Sequence, residues 1–139
     1  MIKVWIDGAC LPKNPEGTAC IGYVIKKKGK TLTKRYAVIG KGKGMTNNVA
    51  EYSALIRALK RIRKLELENE KVLVSSDSQL LVNQMQGNYK IKAKLLLPLY
   101  EKAKRLSKDI DLTLRWIPRE ENEEADRLTR EAYQRHATH

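Results

Sequence analysis

The sequence predicts an α/β fold built on a mixed sheet, and three observations predict it. Residues 2–7, 18–28 and 31–40 carry strand-type runs before any helical period appears. From Asn48 the period changes: Ala50, Ala54, Leu55, Ala58, Leu59, Ile62 and Leu65 recur at three and four, the spacing of an amphipathic helix. Beyond it strands and helices alternate, which calls for parallel neighbours, whereas the early hairpin calls for an antiparallel edge.

Each element has its own signal. IKVWID (2–7) reads as a first strand closed by an acid. GACLPKNPEG (8–17) holds two glycines and two prolines and reads as a loop. The strands at 18–28 and 31–40 flank Gly29-Lys30, a tight hairpin turn, and KGKGM follows as a loop. Asn47 or Asn48 can cap the first helix, and Lys60, Arg61, Arg63 and Lys64 suit its C-terminal half. KVLVSSD (71–77) is a short apolar strand, again closed by an acid, and 78–86 is a short helix stopped by Gly87. Residues 92–108 form a third helix, with Pro98 marking its first turn because an interior proline costs about 3 kcal/mol. IDLTLRWIP (110–118) alternates as a strand, and 120–135 form a charged last helix. The order is β-β-β-α-β-α-α-β-α, with no repeat or internal linker.

The 139 residues, 42% of them hydrophobic, suit one domain with one core. No apolar run approaches the roughly 20 residues of a membrane span, so no membrane partner is expected. The N-terminal strand is too short for a signal peptide, and the expected compartment is the cytoplasm. Cys10 and Cys20 lack the spacing of a zinc site and are expected as two buried or half-buried thiols. Lys plus Arg number 28 against 16 Asp plus Glu, a net +12. That excess suits polyanionic partners, or the densely charged surface of a heat-adapted protein.

Four acids stand at element ends or on elements that face them. Asp7 and Asp77 close strands, Glu51 opens a helix, and Asp126 lies on the last helix. Singly, each reads as a turn residue, a cap or a solvated charge. Sites in open α/β sheets form beyond the carboxyl ends of strands, where adjacent parallel strands would set Asp7 beside Asp77. Gathered carboxylates repel one another, and a divalent cation removes that cost. Mg²⁺ takes oxygen ligands and keeps several waters, so a few acids suffice.

Four stretches in this order carry a family resemblance over nearly the whole chain: IDGACLPKNPEG, TNNVAEYSALIRAL, VSSDSQLLVNQMQG and WIPREENEEADRLTREA. The chain resembles ribonuclease H, type 1, in a form without the basic protrusion. The resemblance implies a ribonuclease H-like fold, a five-stranded mixed sheet with helices on both faces, in a single catalytic domain over 1–139. It implies hydrolysis of the RNA strand of RNA–DNA hybrids, leaving 3′-hydroxyl and 5′-phosphate ends. It also implies a site of two Mg²⁺ ions, with Mn²⁺ as the alternative, held by Asp7, Glu51, Asp77 and Asp126. Asn14, Thr46, Asn47, Asn48, Gln79 and Asn122 match substrate-contact positions. Asn14 and Gln79 match those that reach the minor groove or 2′-hydroxyls, the groups that distinguish RNA from DNA; Asn122 matches one that also supports the site.

Two departures accompany the resemblance. GNYKIKAK is too short for the family's basic, aromatic-containing insertion, and Lys90, Lys92 and Lys94 stand in for part of its charge. The loop before the last acid, IPREEN, has no histidine. Arg119 is expected to hold a phosphate oxygen there. The only histidines, His136 and His139, fall in a segment, 136–139, expected to be a mobile tail. Duplex RNA as a second substrate and a monomeric state complete the expectations. Two other readings are a resolvase-like nuclease or exonuclease of the same fold, and a non-catalytic nucleic-acid-binding module.

Overall fold

The computed structural model describes residues 1–137. Five strands make one sheet in the order β3-β2-β1-β4-β5. β1 (Ile2–Leu11), β2 (Thr18–Lys27) and β3 (Lys30–Lys41) form an antiparallel meander, while β4 (Lys71–Ser76) and β5 (Asp111–Trp116) add in parallel beside β1. The expected mixed sheet is therefore present.

Two turns differ from the sequence reading. Gly8 to Leu11 belong to β1, not to a loop, because β2 pairs them from Gly8↔Ile21 to Leu11↔Thr18. Ladder bonds to β2 outweigh the local Gly-Pro signal, and the loop shrinks to 12–17. The hairpin turn is Lys28-Gly29 rather than Gly29-Lys30. Both residues have positive φ, 52° and 78°, the backbone that matches strand twist in a two-residue hairpin.

α1 (Asn47–Lys64) starts at Thr46, whose Oγ1 accepts from the Val49 N–H at 3.1 Å, so the cap is neither Asn47 nor Asn48. α2 (Gln79–Met85) is capped by Ser78, whose Oγ accepts from the Leu81 N–H. α3 spans Leu97–Ser107, shorter than the 92–108 expected. A start at 92 would bury Pro98 inside the helix, against the carbonyl four residues back; a start at Leu97 keeps it in the first turn. β5 stops at Trp116, short of Pro118. α4 (Glu123–Ala137) follows one 3₁₀ turn at Arg119–Glu121. His136 lies in α4, so the expected tail does not begin there; His139 lies outside the described residues.

Helices cover both sheet faces. α1 packs on β1 and β2, α3 packs on α1, and α4 packs on β2, β1 and β3. The faces can be told apart by two glycines. A Cβ on Gly8 would meet the Ala50 backbone of α1, and a Cβ on Gly22 would meet Ala125 and Leu128 of α4. Gly22 pairs with Asp7, one residue from Gly8, so Asp7 faces α4 and Gly8 faces α1. Ile2, Val4, Ile6, Ile21, Ile25 and the α1 stripe Tyr52, Leu55, Leu59 and Ile62 fill the core on the α1 side. Cys10 and Cys20 are both buried and free; they pair with Ala19 and Ala9 and so point to opposite faces.

Candidate active site

β1 and β4 pair in parallel only as far as Ile6↔Ser76. Beyond that point the two chains separate, and the next residues are Asp7 and Asp77. Asp7 is not the last residue of its strand, as the sequence suggested, but it is the first beyond the parallel ladder. Glu51 arrives from α1, five residues into the helix. Gly8 makes this possible. Its missing side chain lets the second turn of α1 close on β1, since a Cβ there would lie 2.4 Å from the Ala50 carbonyl carbon and 2.5 Å from the Glu51 nitrogen.

One carboxylate oxygen from each of Asp7, Glu51 and Asp77 lies within 4.8 Å of the others. Asp7 and Glu51 are buried and Asp77 is half-buried. Burial, then the charges of Asp77 and Asp126, push the Asp7 carboxyl from 3.8 up to about 8. Hydrogen bonds from Thr129 and from the Gly8 N–H act in the opposite sense. Glu51 is pushed well above the carboxylate range, first by burial and then by Asp7 and Asp77; the Gly8 N–H and the Arg119 charge oppose this. Glu51 Oε1 is buried and has no hydrogen-bond partner. An unpartnered buried carboxylate oxygen beside two more carboxylates has the chemistry of a divalent-cation site: hard oxygen donors, excess negative charge, and a lone pair that no protein group meets.

Asp126 stands apart from this triad. It sits in the first turn of α4, near enough to raise Asp7, and its carboxylate accepts from Arg130 Nε at 3.1 Å. Arg119 is exposed on the 3₁₀ turn, and its charge reaches Glu51.

The remaining predicted residues divide into those that face solvent and those that hold the site. Asn122 is 1% exposed. Its Nδ2 donates to the Ile6 carbonyl at 2.8 Å and to Asp77 Oδ2 at 3.2 Å. A buried amide bonded to β1 and to Asp77 is a positioning group for that carboxylate. Thr46 spends its hydroxyl on the α1 cap. Asn14 and Asn47 are linked: Asn14 Oδ1 accepts from the Asn47 N–H at 3.0 Å, and Asn47 Oδ1 accepts from the Cys10 N–H at 2.7 Å. Bonds from Glu16 N–H to the Met45 carbonyl and from Gly42 N–H to the Gly17 carbonyl tie the same two loops together. Asn14, Asn47 and Gln79 are exposed and Asn48 is half-buried, all near the helix starts that flank the acids.

Three contributors are not evident from sequence reasoning. Gly8 reads as loop. Thr129 lies on the buried stripe of α4, three residues past Asp126, and its hydroxyl reaches Asp7. Trp116 Nε1 donates to the Asp77 carbonyl at 3.2 Å. Of these only Thr129 has a readable signal, a polar residue on an otherwise apolar helix face.

Known proteins share this fold and much of this sequence. The reverse transcriptase-like family profile matches residues 6–132, a span that includes all four acids. The chain belongs to the reverse transcriptase-like family and forms a ribonuclease H-like domain. It is 43% identical over 134 residues to a bifunctional protein of Mycobacterium tuberculosis, covering 94% of this chain and 35% of that protein. The chain thus spans about a third of the first curated relatives it matches. A ribonuclease HI of Halobacterium salinarum is 30% identical over 133 residues, 94% of this chain and 63% of that protein. Among solved structures, LC11-RNase H1 in complex with an RNA/DNA hybrid superposes with a TM-score of 0.90 at 39% identity, covering 99% of both chains. The N-terminal RNase H domain of the Mycobacterium tuberculosis protein gives 0.85 at 34% identity, over 99% of this chain and 98% of that one. The ribonuclease H-like domain of this chain is therefore matched over essentially all of its length.

Proposed function

We propose that this chain is a divalent-metal-dependent endonuclease that hydrolyses the RNA strand of RNA–DNA hybrids, leaving 3′-hydroxyl and 5′-phosphate ends. One observation carries the reading: carboxylate oxygens of Asp7, Glu51 and Asp77 lie within 4.8 Å of one another, and one Glu51 oxygen is buried with no hydrogen-bond partner. The relatives named ribonuclease H, one of them solved with a hybrid, supply the substrate class.

Asp7, Glu51 and Asp77 would hold the metal, with Asp126 completing the set from α4. Two Mg²⁺ ions are the proposed occupants, with Mn²⁺ as the alternative. When bound, they supply Lewis-acid activation of water and charge neutralisation at the scissile phosphate. Asn122 fixes the Asp77 carboxylate against β1. A guanidinium is a donor only, so the part of Arg119 is to bind a phosphate oxygen. Asn14 and Asn47 use their carbonyl oxygens to tie the 12–17 loop and β1 to the start of α1, which leaves their side-chain NH₂ groups as donors for a nucleic-acid backbone. Gln79, exposed two residues past Asp77, would read a 2′-hydroxyl. The net +12 charge predicts salt-dependent binding, with log K falling against log salt by about 0.7–0.9 per phosphate contact. A monomer acting in the cytoplasm is the proposed setting, consistent with two free thiols.

The test is cleavage of a labelled RNA–DNA hybrid beside duplex DNA and duplex RNA, with Mg²⁺, with Mn²⁺ and with chelator. Metal-dependent cutting confined to the RNA strand of the hybrid is expected, and duplex RNA reports whether the second strand matters. Cutting of duplex DNA, or none of any substrate, would overturn the reading. Combined Asn14→Ala and Gln79→Ala should blunt the preference for RNA by about 1–3 kcal/mol per hydrogen bond left unmade.

A further inference from the structure

A second charged feature lies away from the carboxylates. Between the flank of α1 and the edge strand β3 runs an open groove of about 280 Å³. Arg57, Lys60, Arg61 and Lys64 of α1 line one wall, and Tyr23 of β2 and Arg35 of β3 line the other. No carboxylate lines it. Arg61 Nε donates to the Tyr23 hydroxyl at 3.3 Å. Arg35, Arg57, Lys60 and Lys64 are exposed, and none has an ion pair among the described residues. Lys102 of α3 adds a further cation, and its proximity holds the Lys60 ammonium below the usual lysine range.

Most lysines and arginines on a charged surface have acids interspersed, and on α4 the pairs Arg130–Asp126 and Arg135–Glu131 follow that rule. The groove breaks it. Like charges gathered without a counter-charge are unfavourable and become favourable only when a polyanion arrives. We propose that this groove is a second, non-catalytic phosphate-binding site that takes successive phosphates of a nucleic-acid strand.

The layout suits a strand better than a compact anion. Arg57 to Lys64 span seven residues of helix, about 10 Å at 1.5 Å per residue. That covers about three nucleotides at the 3.4 Å rise of one duplex strand. The cations form a line, and all but Arg61 are exposed, whereas a site for a small anion converges on buried donors. The line begins about 9 Å along α1 beyond Glu51 and runs away from it, so it is separate from the metal-binding acids.

The role of the groove does not depend on cleavage and is tested by binding. The probe is a fluorescent single-stranded DNA oligonucleotide, measured by anisotropy over a salt series with chelator present. A variant carrying Arg35→Ala, Arg57→Ala, Lys60→Ala and Lys64→Ala is compared with one that removes equal charge elsewhere, Lys3→Ala, Lys30→Ala, Lys34→Ala and Lys108→Ala. The groove variant should bind at least about tenfold more weakly. Its log–log salt slope should be shallower by about 0.7 for each phosphate it no longer neutralises, hence by at least about 1.4 if two are given up. The control variant should lose less than about threefold. Cleavage of a short hybrid at saturation should stay within about twofold in both. If the fourfold change impairs folding, Arg57→Gln with Lys64→Gln asks the same question with smaller disturbance. Equal loss in groove and control variants would overturn the site. Tripolyphosphate binding to the wild type more tightly than the oligonucleotide, and lost in the groove variant, would overturn the strand as its occupant. Absence of hybrid cleavage in the wild type would overturn the proposed activity while leaving this result standing.

Discussion

Near its start, α1 buries Glu51, one of whose oxygens meets no protein partner. Further along the same helix, Arg57, Lys60 and Lys64 stand in solvent with no carboxylate opposite. Both regions hold uncompensated charge, but burial changes what that charge costs. A buried carboxylate loses its hydration and answers by shifting its titration upward, a preference that a bound cation would reverse. Exposed cations keep their water, and their repulsion is screened within about 10 Å at 0.1 M salt. The first region should therefore respond to metal and pH, and the second to ionic strength. The neutral turns between them, Ala54 to Ile56, belong to the packed core.

The largest expected effect comes from removing Asp7, one of the three clustered acids. Asp7→Asn should lower cleavage by at least about a thousandfold, near 4 kcal/mol of barrier, while hybrid binding is kept or improved because one negative charge leaves the phosphate path. Near-normal turnover in a single-turnover assay would break the assignment of the acidic region.

Gly8→Ala comes next. The added methyl meets backbone rather than a movable side chain, so α1 must back away from β1. A loss of about 1–3 kcal/mol in a denaturant titration is expected, together with weaker metal binding by calorimetry. Unchanged metal affinity would show that the helix approach does not set the Glu51 position.

Arg119→Ala should cost about tenfold in turnover, near 1.4 kcal/mol, while His136→Ala stays within a few-fold. His136 sits in the last turn of α4, and the site has no histidine among its described neighbours. The reverse result would return proton transfer to the C-terminal histidines.

The pH dependence of the metal-free protein gives the gentlest test. Folding raises the Asp7 carboxyl from 3.8 to about 8, so the folded state favours its protonated form. That stabilising contribution is complete below about 3.8 and is lost as pH rises through about 8. With chelator, Tm should fall as pH increases across this window. Asp7→Asn or saturating Mg²⁺ should flatten the slope. A metal-free Tm that rises over the same window would contradict the buried-acid account. Repeating the series in high salt sharpens the contrast, since the buried acids are screened far less than the groove cations.

Much of this could be read in advance because it rests on local signals. The hairpin, the helix period from Asn48, the strand–helix alternation after it and the first-turn place of Pro98 all depend on neighbours a few residues apart. Chain order and period also placed Asp7, Glu51 and Asp77 at element ends, and the fold does bring those three together. Where local signals compete with distant partners, the reading failed. Gly8 to Leu11 look like loop and are strand because residues 18–21 pair with them. The burial of Asn122 has no local signal either: its amide reaches Ile6, 116 residues earlier.

By itself the sequence determined the mixed sheet, the order of its elements and the few acids able to act together, since periodicity and turn chemistry are properties of adjacent residues. Only the tertiary structure decided that Asp7, Glu51 and Asp77 converge, and that Asp126, near enough to raise Asp7, also pairs with Arg130. It also decided that a glycine admits Glu51, that Asn122 braces Asp77, and that five basic residues scattered over residues 35–64 line one groove. The physical reason is that distance and desolvation, which govern each of these interactions, are set by packing between elements.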